Sequence, residues 1–255
     1  MNSCVAVIGI GEIGGILAKG FLRNGHPVYP LIRQMDLKEE ISILPEFSLV
    51  NVAVGENDLS EVLEIIPEIW KNRLLLLQNE LLPRDWKAAG ITDPTVLVVW
   101  FEKKPGQDYK VLIPSPVYGP NAGLVSSALE ALSIPCPELQ SSEELLYELV
   151  RKNVYILTTN IAGLITGGTV FDLKKDHYKF ALKIAEDVMD IQDHLTGFRH
   201  DRAKLIAGME EAFEADPEHK CMGRSAPFRL KRALKFAESA GIPAGALRKV
   251  AAEKL

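Results

Sequence analysis

Short apolar runs separated by polar, helix-spaced segments fill the first part of the chain, and longer amphipathic stretches fill the rest. A β-branched run over residues 5–8 enters the glycine triad Gly9-Ile10-Gly11-Glu12-Ile13-Gly14, after which residues 12–24 carry a helical period. Residues 28–32 predict a second strand, which Pro30 confines to a place where a lost N–H is tolerable. A short charged helix over 36–44 and an apolar strand over 48–54 follow. Asn57-Asp58 predicts the cap of a helix reaching about residue 71. Four consecutive leucines within 73–78 predict a strand buried on both faces, as parallel sheets require. A short helix over 82–89, strands over 95–101 and 110–113 with a Pro105-Gly106 turn between them, and a helix over 124–132 complete this half. Alternating strands and helices predict an α/β fold of Rossmann type, a doubly wound sheet whose first half is trimmed after Arg33.

Past Pro135-Cys136-Pro137 the character changes. Ser141-Ser142-Glu143-Glu144 has a capping-box pattern and opens a single long helix over 141–165. Helices over 178–195, 202–214 and 228–240 follow, with a short one near the end, punctuated by Gly167-Gly168, Gly197 and Pro217. No useful strand alternation occurs after residue 140. The expected organisation is a dinucleotide-binding domain over 1–137 and an all-helical substrate or dimerisation domain over 138–255.

The glycine triad carries the first chemical signal. Gly9 suits the tight turn, Gly11 lets a pyrophosphate approach the backbone, and Gly14 lets helix pack closely on strand. The helix N-terminus adds unpaired N–H groups and the positive end of its dipole. The whole loop, Ile10, Glu12 and Ile13 included, is therefore the candidate cofactor cradle. The second strand ends at Arg33-Gln34, where an NAD site would carry an acid for the ribose diol. A guanidinium there can instead grip a 2′-phosphate, so NADP is the expected cofactor. Gly55 and Asn79 follow two further strands, at the end where ligands bind such sheets. Gly55 lets backbone come close to the cofactor or merely turns the chain. Asn79 can hydrogen-bond a nicotinamide ribose or a substrate oxygen, or be an ordinary turn residue. On the long helix Lys152 and Asn160 share a face, about 12 Å apart. A partly buried lysine can protonate a forming alkoxide, although Arg151-Lys152 alone also reads as a solvated pair.

Composition narrows the partners to a small-molecule substrate. A formal charge of −5 over 255 residues gives no footprint for nucleic acid. No apolar stretch is long enough to span a membrane, and the N-terminal apolar run is the first strand rather than a leader, so a cytoplasmic location is expected. Cys4, Cys136 and Cys221 lack metal-ligand spacing and read as reduced thiols, and the histidines are scattered, so no metal is expected. Apolar faces on the C-terminal helices fit a homodimer, though a helical bundle needs such faces anyway.

In this order the pieces resemble the ketopantoate reductase family, within the 6-phosphogluconate-dehydrogenase-like superfamily. Gly9 to Gly14 with Arg33 looks like its cofactor motif, and Leu77-Gln78-Asn79 like its Q-N-G, with Glu80 replacing glycine. Arg151-Lys152 followed by Asn160 looks like its K-x3-N-x3-N helix. Phe236-Ala-Glu-Ser-Ala-Gly-Ile-Pro243 looks like its C-terminal A-x-x-x-G-I-x-x-P. The resemblance implies an NADPH-dependent reductase of a small carbonyl compound of 2-oxo acid type. Lys152 would be its general acid, and Asn79 and Asn160 would orient substrate and cofactor. The chain departs from the family at Gly55-Glu56, where members carry a lysine, at Ile156 for the first asparagine, and at Ser225 for a substrate-binding glutamate. The family serine has no secure match, with Cys221 or Ser225 possible. Two other readings stand beside the first: an NADP-binding sensor or interaction protein without turnover, and an imine-type reductase of the same superfamily.

Overall fold

The computed structural model describes residues 3–36, 39–40 and 46–255. Apolar runs in the first part become β1 (Cys4–Ile8), β2 (Val28–Leu31), β3 (Phe47–Val52), β4 (Leu74–Leu76) and β5 (Thr95–Leu97). With β8 (Val117–Tyr118) they form one sheet in the order β2-β1-β3-β4-β5-β8, parallel throughout except for β8. Among the described residues β2 alone lies on one side of β1, so the chain reverses its direction of growth between β1 and β3. Pro30 is accommodated because β2 is the sheet edge, pairing on one side alone through Val7.

Helices α1 (Glu12–Arg23) and α4 (Ala122–Glu130) cover one face. Ile16, Leu17 and Phe21 of α1 and Val125, Ala128 and Leu129 of α4 pack on Val5, Val7, Leu49, Leu75 and Leu97. Burial of each large side chain there stabilises the fold by about 2 kcal/mol. The two helices approach closely because Gly20 has no side chain: a Cβ there would lie 2.4 Å from the Ala128 carbonyl oxygen.

Three segments differ from expectation. The helix expected over 57–71 stops as α2 (Leu59–Ile65), because Pro67 removes an N–H and pushes Ile66 into extended backbone; a 3-10 helix, Glu68–Arg73, then buries Trp70. The strand expected over 95–101 breaks after Leu97. The Trp100 N–H donates to Ser115 Oγ at 2.8 Å, and the chain then forms a separate ribbon of β6 (Phe101–Glu102) with β7 (Lys110–Val111). The unforeseen strand β8 is too short for periodicity to register, and proline flanks it. Between β4 and β5 lies α3 (Pro83–Ala88). The helix expected over 36–44 lies largely outside the described residues.

The chain separates into two compact units, Met1–Glu148 and Leu149–Leu255. The division falls inside α5 (Ser142–Thr166) rather than at Pro135-Cys136-Pro137. Those prolines are bound into the first unit: Pro135 and Pro137 carbonyls accept from the Ser115 and Val117 N–H groups, and the Leu139 N–H donates to Val117. Beyond α5 come α6 (Val170–Asp176), α7 (Tyr178–Thr196), α8 (Arg202–Ala215), α9 (Ala226–Ser239) and α10 (Gly245–Lys254). Helix α6 was not foreseen. Gly167 and Gly168, both at positive φ, reverse the chain there, and Thr169 with Asp172 forms a reciprocal capping box. Helix α10 has no polar cap of its own, and Asp187 of α7 supplies one, accepting from the Ala246 and Leu247 N–H groups at 2.7 and 3.0 Å. Among the described residues, no helix is long and apolar enough to cross a membrane.

Candidate functional site

At the carboxyl end of β1 the backbone turns through Gly9, whose φ of +90° belongs to the region glycine favours. A Cβ on Gly9 would lie 2.9 Å from the Ala53 carbonyl oxygen, and one on Gly14 only 2.0 Å from the Gly9 carbonyl oxygen. These two glycines thus permit the turn and the close seat of α1 on the strands. Gly11 differs: a Cβ there would meet nothing within 4 Å. Gly11 precedes α1, and no side chain caps the helix. The loop therefore presents open space, a bare backbone and uncapped N–H groups at the switch point of the sheet, where open α/β sheets take ligands. This arrangement fits a dinucleotide diphosphate.

Neighbouring strand ends converge on that loop. The Gly9 N–H donates to Leu31 at 2.9 Å and the Ala53 N–H to Ile8 at 2.8 Å, joining the ends of β1, β2 and β3. Arg33 and Gln34 stand on the exposed turn after β2. Arg33 is 86% exposed in its side chain and pairs with Asp58 at 3.2 Å. Gly55 is exposed and close to the same acid, since a Cβ there would lie 3.6 Å from Asp58 Oδ2. Gln78 is a buried brace: its Nε2 donates to the Val52 and Val54 carbonyls, and its Oε1 accepts from the Leu77 N–H. That brace sets the turn on which half-buried Asn79 sits. Glu80, where the resembling family has glycine, keeps a left-handed backbone with φ of +62°.

In the second unit the Arg151-Lys152 pair is not solvated, being 8% and 7% exposed. Arg151 is held structurally, its Nε donating to the Gly208 carbonyl at 3.2 Å and its Nη2 pairing with Glu211 at 2.8 Å. Asn160, two turns beyond Lys152 and equally buried, accepts at Oδ1 from Arg229 Nη1 at 2.9 Å. Arg229 comes from the first turn of α9, and no local sequence signal announces the pairing across 69 residues. Ile156 is half-buried between Lys152 and Asn160. Cys221 is fully buried against α5, where Gly163 makes room for it, and burial pushes its thiol up to about 11. It stays a thiol near neutral pH and is no nucleophile. Cys136, pushed up to about 12 by burial, is equally inert. Ser225 stands at the N-terminus of α9 and makes no side-chain capping bond there.

No protein-family model matches the chain, and neither does any curated protein. Solved structures do. A PanE/ApbA family ketopantoate reductase from Ralstonia eutropha JMP134 superposes with a TM-score of 0.69 at 15% identity, covering 97% of this chain and 96% of that one. D-mandelate dehydrogenase in complex with NADH gives 0.72 at 14% identity, with 98% and 97% covered. A dimeric ketopantoate reductase from Staphylococcus aureus gives 0.69 at 13% identity, with 97% and 96% covered. At such identities the likeness establishes fold. The protein has the ketopantoate reductase fold over nearly its whole length, a Rossmann-type sheet followed by helices, as the motifs led one to expect.

Proposed function

We propose that the protein is an NADPH-dependent oxidoreductase that reduces a small carbonyl compound of the 2-oxo acid type. The observation that carries the reading is the glycine loop, open above Gly11 at the sheet's switch point, in a chain sharing its fold with ketopantoate reductases and an NADH-bound D-mandelate dehydrogenase. Bound NADPH would supply a hydride to the carbonyl carbon. The protein's part is placement and proton supply. Gly9 to Gly14 seat the diphosphate, while Gly55 leaves room for the cofactor and Asn79 hydrogen-bonds the ribose beside the nicotinamide. Arg33 and neighbouring Gln34 face the adenosine ribose. The exposed Arg33–Asp58 pair is worth only about 0–1 kcal/mol, so it yields the guanidinium to a 2′-phosphate. Lys152 protonates the carbonyl oxygen, and Asn160 orients the substrate. Small-molecule turnover by a homodimer is the expected working state, in line with the dimeric Staphylococcus aureus relative in fold.

Calorimetry with NADPH and NADH tests the cofactor assignment. NADPH binds more tightly, and Arg33→Ala removes most of the preference while leaving NADH affinity nearly unchanged. Equal affinities in the parent protein sink the NADP assignment. NADPH oxidation against a panel of 2-oxo acids then tests turnover. Tight NADPH binding with no reduction of any oxo acid, aldehyde or imine would favour a binding protein without chemistry.

A further inference from the structure

The glycine loop contains an acid where an anion must dock. Glu12 is the first residue of α1, directly after Gly11, and the loop fits a dinucleotide diphosphate. A carboxylate favours the helix dipole in the empty protein but repels an arriving diphosphate. The structure places one cation against it: Lys103 Nζ pairs with Glu12 Oε2, although the two residues are 91 apart in sequence.

Lys103 is delivered by a fixed element. It follows β6, whose Phe101 is buried in the core and pairs with Val111 of β7. The ribbon is tied down again where the Tyr109 hydroxyl donates to the Leu132 carbonyl. The next residue shows the alternative course for such a lysine. Lys104 is 57% exposed and pairs at 3.3 Å with Glu102 of its own ribbon, whereas Lys103 is 28% exposed and reaches the glycine loop.

We propose that Lys103 is a diphosphate-binding residue, held over the N-terminus of α1 by Glu12 until the dinucleotide arrives. Glu12 occupies the ammonium in the empty protein and keeps it beside the uncapped N–H groups. When the diphosphate enters, the ammonium is shared between phosphate oxygen and carboxylate, and it cancels the charge that would otherwise oppose binding. The inference rests on the dinucleotide reading of the loop. It is independent of the choice between NADP and NAD, because the diphosphate is common to both.

The test is calorimetric titration of NADPH, NADH and ADP into the parent protein, Lys103→Ala, Lys103→Arg and Glu12→Gln, with thermal melts confirming that each variant is folded. Loss of one charge-assisted hydrogen bond predicts that Lys103→Ala weakens all three ligands alike, by about tenfold. Lys103→Arg keeps the parent affinities, since the charge is retained. Glu12→Gln binds ADP more tightly than the parent does, which a purely structural ion pair would not produce. Parent-like affinities in Lys103→Ala, a loss confined to NADPH, or equal weakening by Lys103→Ala and Glu12→Gln would each overturn the proposal. A parent protein that binds none of the three ligands overturns the dinucleotide reading as well, whereas a parent that binds them with Lys103 irrelevant overturns this inference alone.

Discussion

The glycine loop and the long helix α5 each combine a motif with chemistry, yet they are built in opposite ways. The loop is made by backbone. Gly9 and Gly14 are specified by the backbone of the turn itself and by Ala53, just past the end of the neighbouring strand β3, and no polar side chain is needed to shape them. The helix is made by partners far along the chain. Arg151 is buried by Gly208 and Glu211, and Asn160 is bonded by Arg229. A site written in backbone is local and can be read locally. One written in buried polar side chains depends on what the rest of the chain brings to it.

The sharpest way to break that contrast is to divide Arg151, held by structural bonds, from its helix neighbour Lys152, the proposed general acid. Lys152→Ala lowers the reduction rate by about 10² to 10⁴, the usual worth of a positioned general acid, with NADPH affinity unchanged. Arg151→Ala does the reverse: it removes a buried side chain that ties α5 to the Gly208 carbonyl and Glu211 of α8, and lowers stability by about 0.5–3 kcal/mol, with turnover per folded molecule preserved. Steady-state kinetics beside denaturant melts separate the two. Parent-like turnover in Lys152→Ala removes it from the chemistry.

The same logic explains how much was legible beforehand. The sheet, the glycine turn and the long helix were readable because each rests on a period or a triad within a few residues. Strand β8 was not, because two paired residues between prolines carry no period and are fixed by Thr95 to Leu97 elsewhere in the chain. Helix α6 was hidden by the two glycines that precede it, although Thr169 and Asp172 already carried a capping signal. The burial of Lys152 was half legible: the apolar run Val154 to Leu157 after it pointed to a packed face, whereas adjacent Arg151 read equally well as part of a solvated pair.

A smaller effect probes the loop itself. Gly14→Ala places a Cβ against the Gly9 carbonyl, which the strand beneath prevents from moving freely, and costs about 1–3 kcal/mol. Gly11→Ala has open space and changes stability by only about 0.5 kcal/mol, yet on the proposed reading it intrudes on the diphosphate and weakens nucleotide binding. Melting temperature should therefore fall in the first variant and affinity in the second. Equal behaviour of the two would mean that the glycines do not divide the work between packing and ligand approach.

The smallest effect concerns Glu80, where side chain and backbone pull in different directions. Its φ of +62° is costly for any residue with a Cβ, and glycine is the residue that the resembling family places there. Replacing Glu80 by glycine alone would mix relief of that strain with loss of whatever the carboxylate contributes. Comparing Glu80→Gly with Glu80→Ala removes the ambiguity, because both variants lose the carboxylate and only one keeps a Cβ. The left-handed backbone costs an L-residue about 1–2 kcal/mol, and glycine's greater freedom in the unfolded chain returns about 0.5–1 kcal/mol of that. The glycine variant should therefore be the more stable of the two by about 0.5–1 kcal/mol in chemical denaturation. If alanine proves as stable as glycine, the turn after Asn79 relaxes at little cost. The turn that carries Asn79 would then depend chiefly on the Gln78 brace, and its backbone would be less firmly set than that of the glycine loop.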